Sequence, residues 1–187
     1  ISLHYPLIEV FSALLFTLAF SPSTGFKLQD LPSLAPANWA MAVLAVITVP
    51  LVVIDIKLHR LPNGITYPAG LFLLGILAIH AVFTGDWLGA FQVFAIGLIP
   101  ATVLLLLGIA SRGGMGLGDV KLAILMGWSI GWLGVVPLIT AFCLAFFAGG
   151  LWAIILLLAR RGNRKSAIPF GPFLLAGLWL AFLGGNL

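Results

Sequence analysis

From Trp87 to Ala110 the chain carries no charged side chain. A helix that crosses the hydrocarbon core of a bilayer needs about 20 predominantly apolar residues, and this stretch meets that length. Further apolar runs flank it on both sides, separated by short polar or glycine-rich breaks. The pattern predicts about seven spans, over residues 5–20, 38–54, 64–83, 87–110, 120–136, 137–159 and 169–185. With 62% of 187 residues hydrophobic and 7% charged, there is more apolar surface than a soluble domain of this length can bury. The expected class is an all-α polytopic membrane protein, with one transmembrane domain over residues 1–187. The short alternating segments of an outer-membrane barrel are absent from the pattern. The first run is short for a span. The sixth run is set off from the fifth only by the weak break at Val136 and Pro137. Two helices are expected there, because about 40 residues is twice what a bilayer core requires. The chain starts with Ile1 rather than Met and reads as a fragment or a processed product.

The loops predict an orientation. Lys27, Asp30 and Asp86 fall in the junctions after the first and third runs. Lys57, Arg60, Arg112, Arg160, Arg161, Arg164 and Lys165 fall in the alternate junctions, with Lys121 close by. The positive-inside rule makes that second side cytoplasmic, with the N-terminus of the chain inside and the C-terminus outside. The formal charge of +4 is thereby assigned to anionic headgroups and not to nucleic acid. Cys143 stands alone in an apolar run, so neither a disulfide framework nor a metal site is expected.

Against this background the stretch from Gly113 to Asp119, GGMGLGD, stands out. A carboxylate at the mouth of an apolar segment is costly in lipid and marks a functional candidate. Of the five acidic residues, Asp30 and Asp86 are expected in outside loops and Glu9 within the first run. Asp55 and Asp119 share a membrane face and an Asp-x-Lys pattern, with Lys57 and Lys121 two residues on. That offset is about 200° on a helix, so each lysine points away from its aspartate and toward headgroups. Two carboxylates a few ångströms apart do not both ionise cheaply, so the pair holds one proton between them. Such a pair can activate water with one member and protonate a leaving amine with the other. Asp119 begins a helix and Asp55 ends one. Helix dipoles therefore predict Asp119 as the base and Asp55 as the acid. Gly116 and Gly118 are expected to let the loop bend and leave room for substrate backbone.

Other residues admit plainer readings. Glu9 is a third polar group near the site or a structural partner of a neighbouring helix. His59 reads as a solvated loop histidine, and His80 lies near the outer end of the third span. Pro169, Gly171 and Pro172 either start the last helix or form irregular backbone lining the site, tolerated at membrane depth only where it is covered.

These stretches resemble the bacterial prepilin peptidases, the type IV prepilin leader peptidases of the GxGD class of intramembrane aspartic proteases. The resemblance is carried by Tyr5-Pro6-Leu7 with Glu9, by Asp55 with Lys57 and Leu61-Pro62-Asn63, by Gly116-Leu117-Gly118-Asp119-Val120-Lys121-Leu122, and by Ile168-Pro169-Phe170-Gly171-Pro172-Phe173. GxGD alone is a weak signal, but four stretches in order over nearly the whole chain are a strong one. The resemblance implies an aspartic endopeptidase of the bacterial inner membrane. Asp55 and Asp119 would be catalytic, and Gly116, Gly118, Pro169 and Gly171 would shape the site. Its substrates would be type IV prepilins or pseudopilins, cut at the cytoplasmic face for pilus assembly or type II secretion. No cofactor is implied for proteolysis, and S-adenosylmethionine only where N-methyltransferase activity is retained. Dual-function members begin with another helix and a loop that often holds a four-cysteine zinc site. This chain starts where that loop would end and has one cysteine, so no zinc site is expected. His4 stands where the family pattern has arginine. Two other classes of function fit two membrane carboxylates: a small transporter using them as a proton or cation relay, and a non-catalytic assembly subunit. Transport needs access from both sides, whereas both aspartates are expected near one face.

Overall fold

The computed structural model describes residues 10, 12–15, 17, 36–58, 61–110, 116–159 and 170–184. The described residues are helical, with no strand among them. Among the described residues from 36 onward, six α-helices are defined: α1 (Pro36–Leu58), α2 (Asn63–Thr84), α3 (Trp87–Ala110), α4 (Leu117–Ile130), α5 (Val135–Leu158) and α6 (Gly171–Gly184). The all-α polytopic class expected from the sequence is what the chain adopts. Four of these helices, α1, α2, α3 and α5, are long and apolar enough to cross a membrane. In contrast, α4 and α6 have 14 residues each. At 1.5 Å per residue they reach about 21 Å, short of a hydrocarbon core of about 30 Å. Both carry site candidates at their first turns.

The break expected at Val136 and Pro137 falls slightly earlier. Helix α4 passes into a 3-10 turn, Gly131–Leu133. Gly134 then takes a φ of 102°, where a side chain would be strained. Pro137 instead lies in the first turn of α5, where its missing N–H would have no helical partner in any case. At the α2–α3 turn, Gly85 has φ 72° and its N–H donates to the Ala81 carbonyl at 2.9 Å. Asp86 then caps α3, accepting the Gly89 N–H at 2.8 Å.

Helix α4 is the axis of the packing. From Leu122 to Ile130 all but Ile124 are buried, and its neighbours include α1, α2, α3 and α6. Burial on nearly every side fits a helix that is apolar all round. Small residues let backbones approach, as expected where lipid supplies no hydrophobic drive between helices. A Cβ on Gly127 would run into the Gly97 carbonyl of α3. Beside that contact, the Trp128 ring stacks on Phe94 at 5.4 Å and its indole N–H donates to the Phe94 carbonyl at 3.3 Å. Helix α6 packs along α5 in the same way, with Gly177 against Ala141 and Ala145. Large side chains such as Leu71, Phe83, Phe147 and Leu158 face outward and suit a lipid surroundings.

Several sequence candidates lie outside the described residues: His4, Glu9, Lys27, Asp30, His59, Arg60, Arg112, the glycines at 113 and 114, Arg160, Arg161, Arg164, Lys165 and Pro169.

Candidate active site

Leu44, Thr48, Leu51 and Asp55 recur at the spacing that puts residues on one face of a helix. All four are buried. The helix is apolar all round, so it is the packing of the other helices that buries this face and the carboxylate on it. A buried charge without hydrogen bonds is expensive. Helix α6 supplies one: the Gly171 N–H donates to Asp55 Oδ2 at 3.2 Å. Gly171 is the first residue of α6, so Asp55 faces the positive end of a helix dipole. A Cβ on Gly171 would stand 2.6 Å from Oδ2 and 3.1 Å from the carboxyl carbon. Glycine is needed there for space.

Phe170 anchors this first turn. Its carbonyl accepts the N–H groups of Phe173 and Leu174, each at 3.1 Å. Its ring lies 5.1 Å from that of Phe146 on α5. Room for the ring comes from Gly149, whose Cβ would stand 2.7 Å from it. Gly149 carries no signal in the sequence. It sits in a featureless apolar run, and only the fold shows what fills the space beside it.

Asp119 is the third residue of α4, after Gly116 at the N-cap. Its N–H donates to the Gly116 carbonyl at 3.1 Å, and its carboxyl accepts the Gly116 N–H. This is the acidic half of a capping box. Gly116 has φ −72° and ψ 137°, open to any residue, and its Cβ would make only an ordinary contact with Asp119. Gly118 lies inside the helix, and its Cβ would stand 3.1 Å from Leu61 Cδ1. The tight fit at Gly118 thus seats α4 against the segment that follows Asp55, and no unusual backbone bend is involved at either glycine.

The ends of α1, α2, α4 and α6 meet here. Asp119 and Asp55 lie within electrostatic reach of each other. Each also accepts a backbone N–H from the start of a helix. Helix dipoles therefore do not distinguish the two aspartates, because α6 gives Asp55 what α4 gives Asp119. Lys57 is exposed at the end of α1. Lys121 turns to α2, where Nζ donates to Asn63 Oδ1 at 2.6 Å and lies 5.0 Å from the Tyr67 ring centroid. Lys121 is thus tied to α2, where the sequence suggested headgroups. Beside it, Thr66, Tyr67, Gly70 and Trp128 help line a groove of about 360 Å³ between α2 and α4. Neither aspartate lines this groove. His80 packs edge-on against Trp132 at 4.9 Å, beyond the C-terminal end of α4.

Comparison with known proteins shows what the chain is similar to. A family model described as the type IV leader peptidase family matches residues 40–154, a range that contains both aspartates. The prepilin leader peptidase/N-methyltransferase of Pseudomonas putida is 33% identical over 188 residues, covering 100% of this chain and 60% of the relative. That of Aeromonas salmonicida is 30% identical over 193 residues, with the same coverage of 100% and 60%. The Bacillus subtilis protein of the same name is 29% identical over 188 residues, covering 100% of this chain and 68% of its own length. The chain thus spans about 60% of the length of the first two relatives. No solved structure matches it. With more than half of its residues matched by the family model, the chain belongs to the type IV leader peptidase family.

Proposed function

We propose that this protein is an aspartic endopeptidase that removes the leader peptide from type IV prepilins or pseudopilins at the cytoplasmic face of the inner membrane. The observation that supports the proposal is that Asp55 on α1 and Asp119 on α4 lie within electrostatic reach of each other, at the end of the bundle where Gly171 of α6 donates to Asp55. The names of the relatives support the substrate class. The distribution of basic residues supports a cytoplasmic N-terminus, an outside C-terminus and a site on the cytoplasmic side.

The chemistry follows from one proton shared by two carboxylates. The ionised member takes a proton from water as the water oxygen bonds to the scissile carbonyl carbon. The protonated member gives its proton to the carbonyl oxygen, forming a neutral tetrahedral diol. Collapse of the diol breaks the C–N bond, and the leaving nitrogen takes a proton from the dyad. As the diol collapses, one of its hydroxyls returns a proton to the pair, which regains its single proton, and the products are a carboxylic acid and an amine. The N–H groups of Gly171 and Gly116 hold the carboxylates in place while the proton moves. The bond cut must be extended, because a helical peptide bond is covered by its own turn. A site at the membrane boundary lowers the cost of that unwinding.

The names of the relatives also include N-methyltransferase. This chain has a single cysteine, Cys143, so a four-cysteine zinc site cannot be assembled from it. S-adenosylmethionine would serve only as the methyl donor of that second reaction, and no step of cleavage uses it.

The test is co-expression with a candidate prepilin and N-terminal sequencing of the product. Asp55→Ala and Asp119→Ala should each abolish processing while the protein still inserts. Processing by either variant at the wild-type level would contradict the proposal. Proton or cation flux into proteoliposomes that depends on both aspartates would favour a transporter.

A further inference from the structure

Helix α6 is tied to α1 at a second level. The Trp179 indole N–H donates to Thr48 Oγ1 at 3.1 Å, and the Thr48 hydroxyl donates on to the Leu44 carbonyl at 2.6 Å. Both side chains are buried, at 7% and 6% exposure, so the hydrogen bond is shielded from competing water. Thr48 precedes Asp55 by about two turns on the same face of α1, a rise of roughly 10 Å. Trp179 follows Gly171 by slightly more than two turns on α6, a rise of roughly 12 Å. The two ties are therefore rungs at matching separations between the same two helices. Between them lie Leu51, Leu174, Leu175 and Leu178, all buried. Apolar contact of this kind is non-directional, whereas the N–H···O bond from a large, buried ring specifies one relative position.

We propose that Thr48 and Trp179 are positioning residues for Asp55. Their hydrogen bond sets the register of α6 on α1 and so keeps the Gly171 N–H on the Asp55 carboxylate. Neither residue touches the reacting atoms. The proposal rests on the peptidase reading of the site, and its test separates the two.

The test compares kcat and KM for cleavage of a purified prepilin by the purified protein in liposomes. Thr48→Val keeps the shape of the side chain and removes the acceptor. It should lower kcat about tenfold and leave KM within about twofold, as expected when a reacting group is slightly misplaced. Thr48→Ser restores the hydroxyl and should return kcat to within about twofold of wild type. In a Gly171→Ala background, Thr48→Val should cost less than about twofold more, because the contact it protects is already lost. Trp179→Phe, which removes the donor from the other side, should behave as Thr48→Val does and serves if that variant fails to insert. Wild-type kcat in both Thr48→Val and Trp179→Phe would overturn the proposal. So would a full additional tenfold loss in the Gly171→Ala background. Asp55→Asn is measured alongside. Retained cleavage there refutes the dyad itself, whereas an inactive Asp55→Asn beside a fully active Thr48→Val refutes only the positioning role.

Discussion

Asp86 and Asp55 both accept a hydrogen bond from the first turn of a helix, yet they occupy opposite kinds of surroundings. Asp86 is exposed and caps α3, its own downstream helix, through Gly89 three residues later. Asp55 is buried, and its donor Gly171 is 116 residues away on another helix. A local cap forms as soon as its helix forms. The Asp55 contact exists only once α1 and α6 have packed, and it places a charge where desolvation is costly. Asp119 combines both patterns: a local bond from Gly116 and a long-range neighbour in Asp55. A carboxylate held by the tertiary fold, against the preference of its burial, is the one that reads as functional.

The contrast can be broken most sharply by charge removal. Asp55→Asn or Asp119→Asn should lower prepilin cleavage by at least about a thousandfold, since each proton transfer needs its partner. Asp86→Asn should leave cleavage unchanged in the same assay. A smaller effect is expected from crowding the long-range contact. Gly171→Ala pushes a methyl group against the Asp55 carboxylate and should reduce kcat by roughly ten- to a hundredfold, with insertion intact. Gly118→Val wedges α4 away from Leu61 and should reduce cleavage by about tenfold, again without loss of insertion. The smallest effect belongs to the cap. Asp86→Ala should destabilise the protein by about 1 kcal/mol in a reversible unfolding assay and leave kcat alone.

Much of this was legible in the chain. Apolar runs separated by charge gave the polytopic class, and the alternation of basic junctions put Asp55 and Asp119 at one membrane face. The shared Asp-x-Lys setting picked Asp55 and Asp119 from five acidic residues. What the chain concealed depended on space between elements. Gly118 reads as a hinge in the sequence, but its helical position and its fit against Leu61 make it a packing residue. Gly149 gives no signal until Phe170 fills the gap beside it. The short α4 was hidden within a run that hydropathy extends to residue 136, because the 3-10 turn at Gly131 is apolar too. The role assignment drawn from dipoles saw only the helix that carries each aspartate. It could not include α6, whose N-terminus faces Asp55 only after folding.

In the proposed reaction Asp55 and Asp119 act as one unit. A double-mutant cycle on the purified protein, with Asp55→Asn, Asp119→Asn and the double variant cleaving one prepilin, tests it most directly. Each single variant should fall to the background rate of the double, with no further loss on combination. Substantial cleavage by either single variant, with losses that multiply in the double, would contradict it.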